Sequence, residues 1–542
     1  MEFPSKVTAH KPTNIKKKAE HMSKVKVITA EEAALLVKDN DTVVCAGFIA
    51  SNIPEALEIG VEERFAKTGS PRDLTVVYVA GTGNQDGSSI DHFAHEGLVK
   101  KVIGGHYNMI PNMGKLLTEN KIEGWNVPQG ALASMMRDSA AHRVGTITSV
   151  GIGTFADPRN GGGRLNEKTK DDICKIIELE GEEQLFYPRL PMDVAFIRGT
   201  YADEQGNVTM EKEVAPLDGT AQAMAVHNNG GIVVVQVEKV VQTGQLDPKL
   251  VKVPGIYVDY VVEIPADDPR QLQSLHCAYN PAYAGNKREP VDALQPKVLD
   301  AKKIIGRRAA FELKKNCAVN LGIGVPEWVS AVAAEEGVAD EMTLTVECGP
   351  IGGIPGGGLR FGGSLNAQAY VDEAYQFDFY DGGGLDICYL GLAEADAVGN
   401  VNVSRLGKRI TGSGGFTDIA SNSKKAIFCG TMTNGVKIQT GDGKLTITQE
   451  GKLHKFVNKV NEITFSGPVA AKKGRIVKYV TERAVFELKE DGMHLIEIAP
   501  GVDLQTQVLD QIDFKPIIDE GYPKLMDERI FKDEPMGLEI AD

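Results

Sequence analysis

Short runs of β-branched apolar residues alternate along this chain with stretches of helical character, and this alternation constrains the fold strongly. Residues 41–47 (DTVVCAG) predict a strand, residues 54–65 a helix and residues 74–78 (LTVVY) the next strand. Strands that alternate with helices at this spacing form βαβ units with parallel strands. Parallel strands are covered on both faces, which explains near-continuous apolar runs such as 231–237 (GIVVVQV). The sequence therefore predicts an α/β fold with mainly parallel sheets.

The second half of the chain repeats motifs of the first half in the same order. Residues 46–57 (AGFIASNIPEAL) have a partner in residues 322–327 (GIGVPE). Further along, residues 201–208 (YADEQGNV) match residues 393–401 (AEADAVGNV), and an apolar strand follows in both places. Several matches in one order are improbable by chance, so we predict two homologous open α/β domains with the active site between them.

The predicted boundaries follow from composition. We assign residues 22–270 to the first domain and residues 299–542 to the second, with a Pro- and Asp-rich linker at 271–298. Residues 1–21 precede Met22, a plausible natural start, and contain a short basic run without an apolar centre or an arginine. That composition fits neither a secretory nor a mitochondrial signal, so we interpret 1–21 as a leader or an added segment.

Charge and cysteine content exclude several classes of protein. A net charge of -15 over 542 residues argues against nucleic acid or an anionic membrane as the main partner. A phosphorylated ligand stays possible, because backbone N–H groups at a helix start can bind phosphate. Seven dispersed cysteines without CxxC spacing predict reduced thiols in a cytoplasmic protein. The chain also lacks an apolar run of the roughly 18 residues that span a bilayer.

The most unusual passage is residues 344–366 (LTVECGPIGGIPGGGLRFGGSLN). Glu347 stands where a predicted buried strand, 343–346, stops and glycines begin. Ligands bind at the carboxyl ends of parallel strands, and glycines there permit close approach and leave amide donors free. The alternative is a flexible surface loop that happens to start with an acidic residue. We favour a functional glutamate, because a carboxylate attached to an apolar strand is costly to bury.

Other glycine turns and one glutamine are candidates for the same site. Residues 320–326 (NLGIGVP) precede a predicted helix at 327–336, an arrangement that binds anions or simply packs a strand against a helix. Residues 377–386 (FDFYDGGGLD) and 410–418 (ITGSGGFTD) are two more turns, which could also be tight turns with an Asp cap. Gln129 follows a proline and precedes a helical run; a lone glutamine there is usually a surface or capping residue.

Together these segments resemble the family I coenzyme A transferases, specifically the single-chain propionate or acetate CoA-transferase group. The resemblance extends from about residue 25 to residue 538. Its motifs are VPQG (127–130), VGIGTFADPRNGGGRLN (150–166), NLGIGVP (320–326), VECGPIGG (346–353), FDFYDGGGLD (377–386), GSGGFTDI (412–419) and TERAVFELKEDGMHLIEIAPGVDL (481–504).

The resemblance implies an enzyme that transfers coenzyme A from a short-chain acyl-CoA to a small carboxylic acid. Glu347 would carry the coenzyme as a covalent thioester during a ping-pong reaction. The side chain of Gln129 would belong to an oxyanion hole, completed by a backbone N–H of Gly414 or Gly415. The residues that would lie beside the coenzyme are Asn320, Gly322, Gly324 and Val325.

The chemistry that the resemblance implies needs no permanently bound cofactor, ATP or metal, since coenzyme A is a substrate and the thioester energy is kept. A free glutamate has a pKa of about 4.3, so Glu347 is expected to be ionised at neutral pH. The resemblance also favours a homodimer or homotetramer. Transferases for 3-oxoacids resemble IPEN at the first turn, whereas this chain has IPEA with Ala56, which disfavours that specificity. An acyl-CoA hydrolase and a non-catalytic acyl-CoA sensor are the alternatives.

Overall fold

The computed structural model of the protein describes residues 24–290 and 297–542. The predicted leader, 1–21, therefore lies outside the described residues, as do positions 291–296 of the predicted linker. Below, the first half means residues 24–290 and the second half residues 297–542. All seven cysteines lie in these ranges and are free thiols. None of the helices in these ranges has the length and apolar character required to span a membrane.

In the first half, a sheet of eight strands is parallel throughout. The bounds of its strands are β1 Lys26–Ile28, β2 Thr42–Cys45, β3 Leu74–Val77, β4 Val99–Gly104, β5 Glu123–Asn126, β6 Val194–Arg198, β7 Ile232–Val237 and β8 Tyr260–Glu263. The strands follow one another across the sheet in the order β1-β8-β7-β6-β2-β3-β4-β5.

The second half contains a sheet of ten strands. Their bounds are β9 Cys317–Leu321, β10 Met342–Thr345, β11 Pro350–Ile351, β12 Ala369–Tyr370, β13 Ile387–Gly391, β14 Lys425–Cys429, β15 Ile476–Val480, β16 Ala484–Lys489, β17 Gly492–Ile498 and β18 Lys524–Leu525. The order across the sheet is β12-β11-β10-β9-β13-β14-β15-β16-β17-β18. The centre, β10-β9-β13-β14-β15, is parallel, antiparallel pairs flank it on both sides, and the last pair, β17-β18, is parallel again. The predicted α/β fold with mainly parallel sheets is confirmed.

Helices connect most of the parallel strands, and several start at side-chain caps. Thr29 accepts a hydrogen bond from the N–H of Glu32, whose carboxylate accepts the N–H of Thr29. The bounds of the helices are α1 Ala30–Ala34, α2 Glu55–Thr68, α3 Pro111–Thr118, α4 Gln129–Ala140, α5 Gly219–Asn228, α6 Ala301–Ala310, α7 Glu327–Glu335, α8 Glu373–Asp381, α9 Phe416–Asn422, α10 Gly467–Lys472 and α11 Leu504–Gln507.

The remaining strands form small sheets on the two large ones. One has four strands, Tyr201–Asp203, Val208–Thr209, Lys239–Val241 and Val251–Val253, and another has three, Gly145–Thr148, Lys175–Leu179 and Glu182–Pro188. The two-stranded sheets pair Ile354–Pro355 with Ser364–Leu365, Glu394–Ala395 with Val401–Asn402, Arg405–Leu406 with Arg409–Ile410, Thr433–Asn434 with Leu453–His454, and Lys437–Gly441 with Lys444–Gln449.

The repeat seen in the sequence has a counterpart in the two sheets. Strands β3-β2-β6-β7-β8 of the first sheet stand in the same chain order and direction as β10-β9-β13-β14-β15 of the second. The strand predicted at 343–346 is β10, which begins and ends one residue earlier in the structure. The strand predicted at 74–78 is β3, which occupies the corresponding place in the first sheet. The end of β10, where Glu347 follows, thus corresponds to the end of β3 in the first half.

The Asp…Gly-Asn-Val turns of the two halves also share one hydrogen-bond pattern. Asp203 Oδ1 accepts the backbone N–H of Asn207 at 3.0 Å, and Asp203 Oδ2 accepts its side-chain Nδ2–H at 3.0 Å. Asp396 binds Asn400 through the same two atoms, both at 3.0 Å. Each aspartate adds side-chain acceptors to the backbone hydrogen bonds that close its turn, which explains why this short motif recurs.

The two halves contact each other directly rather than through a linker alone. Helix α4 of the first half packs against α8 of the second. At this contact a Cβ built on Gly130 would lie 2.7 Å from Phe377 Cδ1, so the close approach requires glycine. Residues of the predicted linker contact both halves: the N–H of Leu275 donates to Ala50 O at 2.7 Å, and Tyr283 stacks with Arg360. The predicted domain boundaries stay a prediction.

Candidate active site

Glu347 lies two residues beyond the end of β10, at the edge of the second sheet. Strand β9 runs parallel beside it, with Asn320 opposite Thr345. The glycine turn that follows β9 at Gly322 therefore emerges at the same edge as Glu347. This is the edge at which parallel α/β sheets bind ligands.

The neighbours of Glu347 come from both halves of the chain. Val346 and Cys348 are buried in an apolar cluster, while the Glu347 side chain itself is half-buried. The first-half members of that cluster are Phe48, Ile49, Ala50, Ile53, Ala80, Val214, Ala215, Leu217 and Leu275. Glu347 thus stands between two residues that pack against the first half, at the junction of the halves, and its side chain is partly shielded from solvent.

The pKa of Glu347 is raised to about 7, and the cause is burial. The side chain keeps some accessible surface, yet the surrounding apolar atoms leave its charge poorly hydrated. A backbone N–H and the side chain of Asn320 offset part of this effect. The expectation of full ionisation at neutral pH therefore needs correction: near pH 7 the carboxylate and the acid form coexist.

Asn320 is fully buried below the end of β10. Its Nδ2 donates to Thr345 O at 3.3 Å and to Tyr380 Oη at 3.4 Å, and Oδ1 has no partner among the described residues. Tyr380 Oη in turn donates to Thr345 Oγ1 at 2.8 Å. The structure thus places Asn320 against Glu347, on the inner side of the sheet edge, away from the exposed turn that follows.

The turn after β9 is open at the surface. Gly324 has φ +91°, and a Cβ built on it would meet nothing within 4 Å. Its N–H already donates to Glu327 Oε1 at 2.9 Å, which caps the start of α7. Gly322 and Val325 are partly exposed in the same turn. The predicted coenzyme-side residues are therefore brought to the right edge, although one expected free donor is used within the turn.

The glycine-rich segment after Glu347 is folded on itself. The N–H of Gly349 donates to Val346 O at 3.0 Å, and that of Gly352 to Leu344 O at 2.7 Å. A Cβ on Gly349 would lie 2.2 Å from Val371 O. These glycines serve close chain packing more than the free donation expected from the sequence.

Gln129 is the first residue of α4 and is only 2% exposed. Its Nε2 donates to Glu373 Oε1 at 2.5 Å, and its backbone N–H donates to Gly414 O at 3.1 Å. Both acceptors belong to the second half. The lone glutamine of the sequence is thus a buried bridge between the halves.

Gly414 and Gly415 differ in what their backbone N–H groups do. The N–H of Gly414 donates to Gly105 O at 2.7 Å. The N–H of Gly415, which precedes helix α9, meets no acceptor within residues 24–290 and 297–542. A Cβ built on Gly414 would lie 3.5 Å from Gln129 Oε1, so this turn and the glutamine are adjacent.

The sequence analysis gave no role in the site to three carboxyl groups, those of Glu373, Asp218 and Asp418, although Asp418 lies in the candidate turn 410–418. Burial raises the pKa of each. The charge of Asp218 raises the pKa of Glu373 further, and the charge of Glu347 adds to it. Asp418 faces the backbone N–H groups at the start of α4, which oppose its shift. Each of these residues lies in the first turn of a helix or just before it, where acidic residues are common as helix caps. The sequence alone therefore does not indicate that they belong to the site.

A half-buried glutamate at the end of a parallel strand, with the buried carboxamide of Asn320 beside it, is suited to acyl-transfer chemistry. The sequence profile of the Coenzyme A transferase family matches residues 27–264. The chain belongs to the Coenzyme A transferase family, as the relatives below show over nearly its whole length. It is therefore a CoA-transferase, and the resemblance read from the motifs is confirmed.

The relatives are full-length matches. The chain is 46% identical over 523 residues to acetate CoA-transferase YdiF of Escherichia coli strain K12, covering 96% of this chain and 97% of the relative. It is 43% identical to caffeate CoA-transferase of Acetobacterium woodii, covering 95% and 99%. The crystal structure of the YdiF apoenzyme from E. coli O157:H7 matches with a TM-score of 0.90 and 45% identity, covering 96% of this chain and 98% of that one. A YdiF thioester complex with CoA matches with a TM-score of 0.89 and 44% identity over the same shares.

Proposed function

We propose that this enzyme transfers coenzyme A from a short-chain acyl-CoA to a small carboxylic acid, with Glu347 as the nucleophile. The observation that carries the proposal is the place of Glu347: a half-buried carboxyl at a strand end, at the junction of the halves. The names of two relatives, an acetate and a caffeate CoA-transferase, support a carboxylic acid as acceptor. The thioester complex with CoA supports a covalent route.

The first half-reaction begins with the Glu347 carboxylate. One of its oxygens attacks the thioester carbonyl carbon, the C–S bond breaks and CoA leaves as a thiolate. The product is a mixed anhydride between the acyl group and Glu347. The thiolate then attacks the glutamyl carbonyl carbon, the acyl carboxylate leaves, and Glu347 holds CoA as a thioester. A second carboxylate reverses these steps, so the kinetics are ping-pong.

Each attack creates a tetrahedral oxyanion that needs donors. One N–H of Gln129 Nε2 is used by Glu373, and the second is available for the oxyanion. Of the two candidate glycines, Gly415 has the uncommitted N–H, because the N–H of Gly414 is bonded to Gly105 O. We therefore assign the backbone donor to Gly415. Losing one such donor typically slows a reaction by roughly 10²–10³.

The coenzyme would run from Glu347 along the exposed turn at Gly322, Gly324 and Val325. This turn shares the sheet edge with Glu347 and has open space above Gly324. Asn320 acts on Glu347 itself, since its side chain lies against the carboxyl and lowers its pKa. Binding energy from the distant part of CoA is needed, because a carboxylate is a weak nucleophile toward a thioester.

The test is peptide mass mapping after incubation with acetyl-CoA and no acceptor. We expect a CoA adduct on the peptide that contains Glu347, and none in Glu347→Ala, which should also lose transfer while it keeps its far-UV spectrum. Glu341→Ala is the matched control, because Glu341 is an exposed acid at the other end of β10. An adduct on a different residue, or full turnover by Glu347→Ala, would refute the assignment.

The same experiment separates the two alternatives. An acyl-CoA hydrolase would release free thiol continuously without acceptor, whereas a transferase releases none beyond a stoichiometric amount. A sensor would bind acyl-CoA and form no adduct. Acetate, propionate, butyrate and lactate are the acceptors to compare. The motif IPEA, with Ala56 where 3-oxoacid transferases resemble IPEN, disfavours 3-oxoacids. A homodimer or homotetramer in the cytoplasm completes the proposal, and light scattering tests the assembly.

A further inference from the structure

Three helix starts meet behind the proposed oxyanion hole. Gln129 begins α4, Asp218 precedes α5 and Glu373 begins α8. The backbone N–H of Glu373 donates to Leu217 O at 3.1 Å, which brings Asp218 and Glu373 side by side. Their side chains are almost inaccessible to water: Glu373 is 1% exposed and Asp218 is 4% exposed.

The two carboxyls interact with each other. Asp218 Oδ1 is buried without a hydrogen-bond partner among the described residues, and the Asp218 and Glu373 side chains act on each other; a hydrogen bond between two carboxyls requires that one of them carries a proton. Burial raises the pKa of both, and the charge of Asp218 raises that of Glu373 further. Two buried like charges in contact cannot both be stable, so the pair holds one proton at neutral pH.

We propose that Asp218 and Glu373 form a one-proton carboxyl pair that positions the Gln129 carboxamide for the oxyanion. The observation behind it is the 2.5 Å bond from Gln129 Nε2 to Glu373 Oε1 at a site reached from both halves. The inference rests on the proposed function, since it gives Gln129 its role in that reaction. Asp218 and Glu373 are positioning residues and touch no substrate.

The geometry explains how the pair acts. An amide side chain can rotate so that its oxygen and its nitrogen exchange places. A partner that only accepts hydrogen bonds prevents this, because it can pair with the amide N–H and not with the amide oxygen. With the shared proton between the two carboxyls, Glu373 Oε1 is left as a pure acceptor toward Gln129. One N–H of Nε2 is then fixed on Glu373, the other is free, and Gln129 Oε1 is turned toward Gly414. A flipped amide would present its oxygen to the oxyanion and repel it.

The pair is surrounded by further acids, which makes its single proton important. Glu347 and Cys348 face Glu373 from the second half, and Asp372 acts on Asp218. Asp372 itself is paired with Lys252 at 3.5 Å. Loss of the shared proton would add a second negative charge close to Glu347 and to the forming oxyanion, and the two carboxylates would repel each other out of position. Transfer should therefore decline at alkaline pH when the pair loses its proton.

The first test is a double-mutant cycle on the rate of adduct formation at Glu347 in a single turnover. We expect Gln129→Ala and Glu373→Ala each to slow this step by about tenfold or more, with little change in KM for acyl-CoA. The double variant should be no slower than Gln129→Ala alone within about twofold, because Glu373 acts only through Gln129. Multiplied effects in the double variant would overturn the inference.

The second test uses Glu373→Gln, which avoids the cavity that alanine leaves. Its amide can donate to an ionised Asp218 and still accept from Gln129, so it imitates the one-proton pair permanently. We expect this variant to recover most of the rate lost in Glu373→Ala and to lack the alkaline decline. Glu482→Gln is the matched control, a fully buried glutamate of the second half bonded to Arg483, and should keep the decline. An unchanged alkaline decline in Glu373→Gln would refute the pair.

The two levels of failure are distinguishable. If wild-type protein forms no CoA adduct on Glu347, the proposed function fails and the pair loses its role. If the adduct forms and Gln129→Ala slows it, but Glu373→Ala multiplies that effect, only the positioning role fails. Adduct formation that Gln129→Ala leaves unchanged also overturns the positioning role, because the pair would then have nothing to position.

Discussion

Asn126 Oδ1 accepts the backbone N–H of Ser413 at 3.0 Å, across the junction of the two halves. The Nδ2 group of the same side chain donates to Gly104 O at 3.1 Å and to Gly105 O at 2.5 Å. Gln129 follows three residues after Asn126, and Gly415 two residues after Ser413. One buried amide thus fixes the spacing between the two proposed oxyanion donors.

Replacing this amide should therefore cost activity beyond its effect on stability. We expect Asn126→Ala to lower kcat by about 10²-fold, since a shift of about 1 Å in reacting groups can cost that much. The unfolding free energy should fall by about 1–3 kcal/mol through unpaired buried groups. The matched control is Asn166→Ala, which removes two comparable bonds, to Leu117 O at 2.8 Å and Ile122 O at 2.9 Å. Equal kcat losses in both variants would contradict the prediction.

Glu347→Asp tests whether the position of the carboxyl matters as well as its charge. Aspartate keeps the acid but withdraws it by one methylene from the junction of the halves. We expect kcat to fall by about 10²-fold or more with an unchanged unfolding midpoint, because the side chain is only half-buried. Initial rates with acetyl-CoA and a second acid measure this. A variant with wild-type kcat would show that Glu347 does not form the thioester bond.

The parts of this structure that depend on local patterns could be predicted from the sequence. Strand β10 and the place of Glu347 at its end follow from an apolar run that stops at glycines. The repeat was visible because Asp203 and Asp396 each close their turn with bonds inside five residues. Predicted element ends differ by a few residues: the helix predicted at 54–65 continues to Thr68, where Gly69 ends it at φ +70°.

The rest depends on residues that are distant in the chain. Gln129 and Glu373 are 244 positions apart, and no local pattern marks that contact. Gly415 was chosen over Gly414 as the oxyanion donor because the N–H of Gly414 is bonded to the carbonyl of Gly105, which lies more than 300 positions away in the chain. The stretch at 377–386 was predicted to be a glycine turn, yet its first five residues form the end of helix α8. The helix is stabilised there by packing against α4, a contact that the local sequence does not reveal. Local propensity cannot report such tertiary partners.

The assignment of Gly415 leads to a comparison of two substitutions. Gly415 has φ -79°, which proline accepts, so Gly415→Pro removes the N–H with limited strain. We expect kcat to fall by about 10²–10³. Gly415→Ala keeps the N–H and adds a methyl 3.2 Å from Phe377 Cζ, and should lose much less. Similar losses in the two variants would point to sterics and against an oxyanion donor.

The raised pKa of Glu347 predicts a pH dependence of the first half-reaction. The carboxylate is the reactive form, so the rate of adduct formation should rise with pH and be half-maximal near pH 7, where burial places the pKa. Asn320 lowers this pKa, hence Asn320→Ala should move the midpoint to higher pH. Rapid quenching followed by mass measurement of the CoA adduct, across pH 5 to about 9, measures it. A midpoint near the ordinary value of a free glutamate would contradict the burial argument.

A buried ion network in the second half predicts stability that is independent of the site. Glu312 accepts hydrogen bonds from Arg308 at 3.1 Å, Lys425 at 3.0 Å and Lys478 at 2.7 Å. Burial alone would raise the pKa of Glu312, but these three cations together lower it to about 2. Removing the Glu312 charge would leave its cationic partners buried without a counter-charge. Glu312→Gln should therefore destabilise the fold by about 3 kcal/mol or more. Exposed Glu528, paired with Lys532, is the control, since Glu528→Gln should change stability by about 0.5 kcal/mol at most.

The pH dependence of that difference follows from the direction of the shift. A carboxyl whose folded-state pKa is lowered binds its proton less readily in the fold than in the unfolded chain, so its ionised form stabilises the fold. The gap in unfolding midpoint between wild type and Glu312→Gln should be complete above the ordinary glutamate pKa of 4.5 and close as pH falls toward about 2. Thermal unfolding monitored by circular dichroism at several pH values measures the gap. A gap that stays constant down to pH 3 or below would mean that the cations stabilise the fold without help from the Glu312 charge.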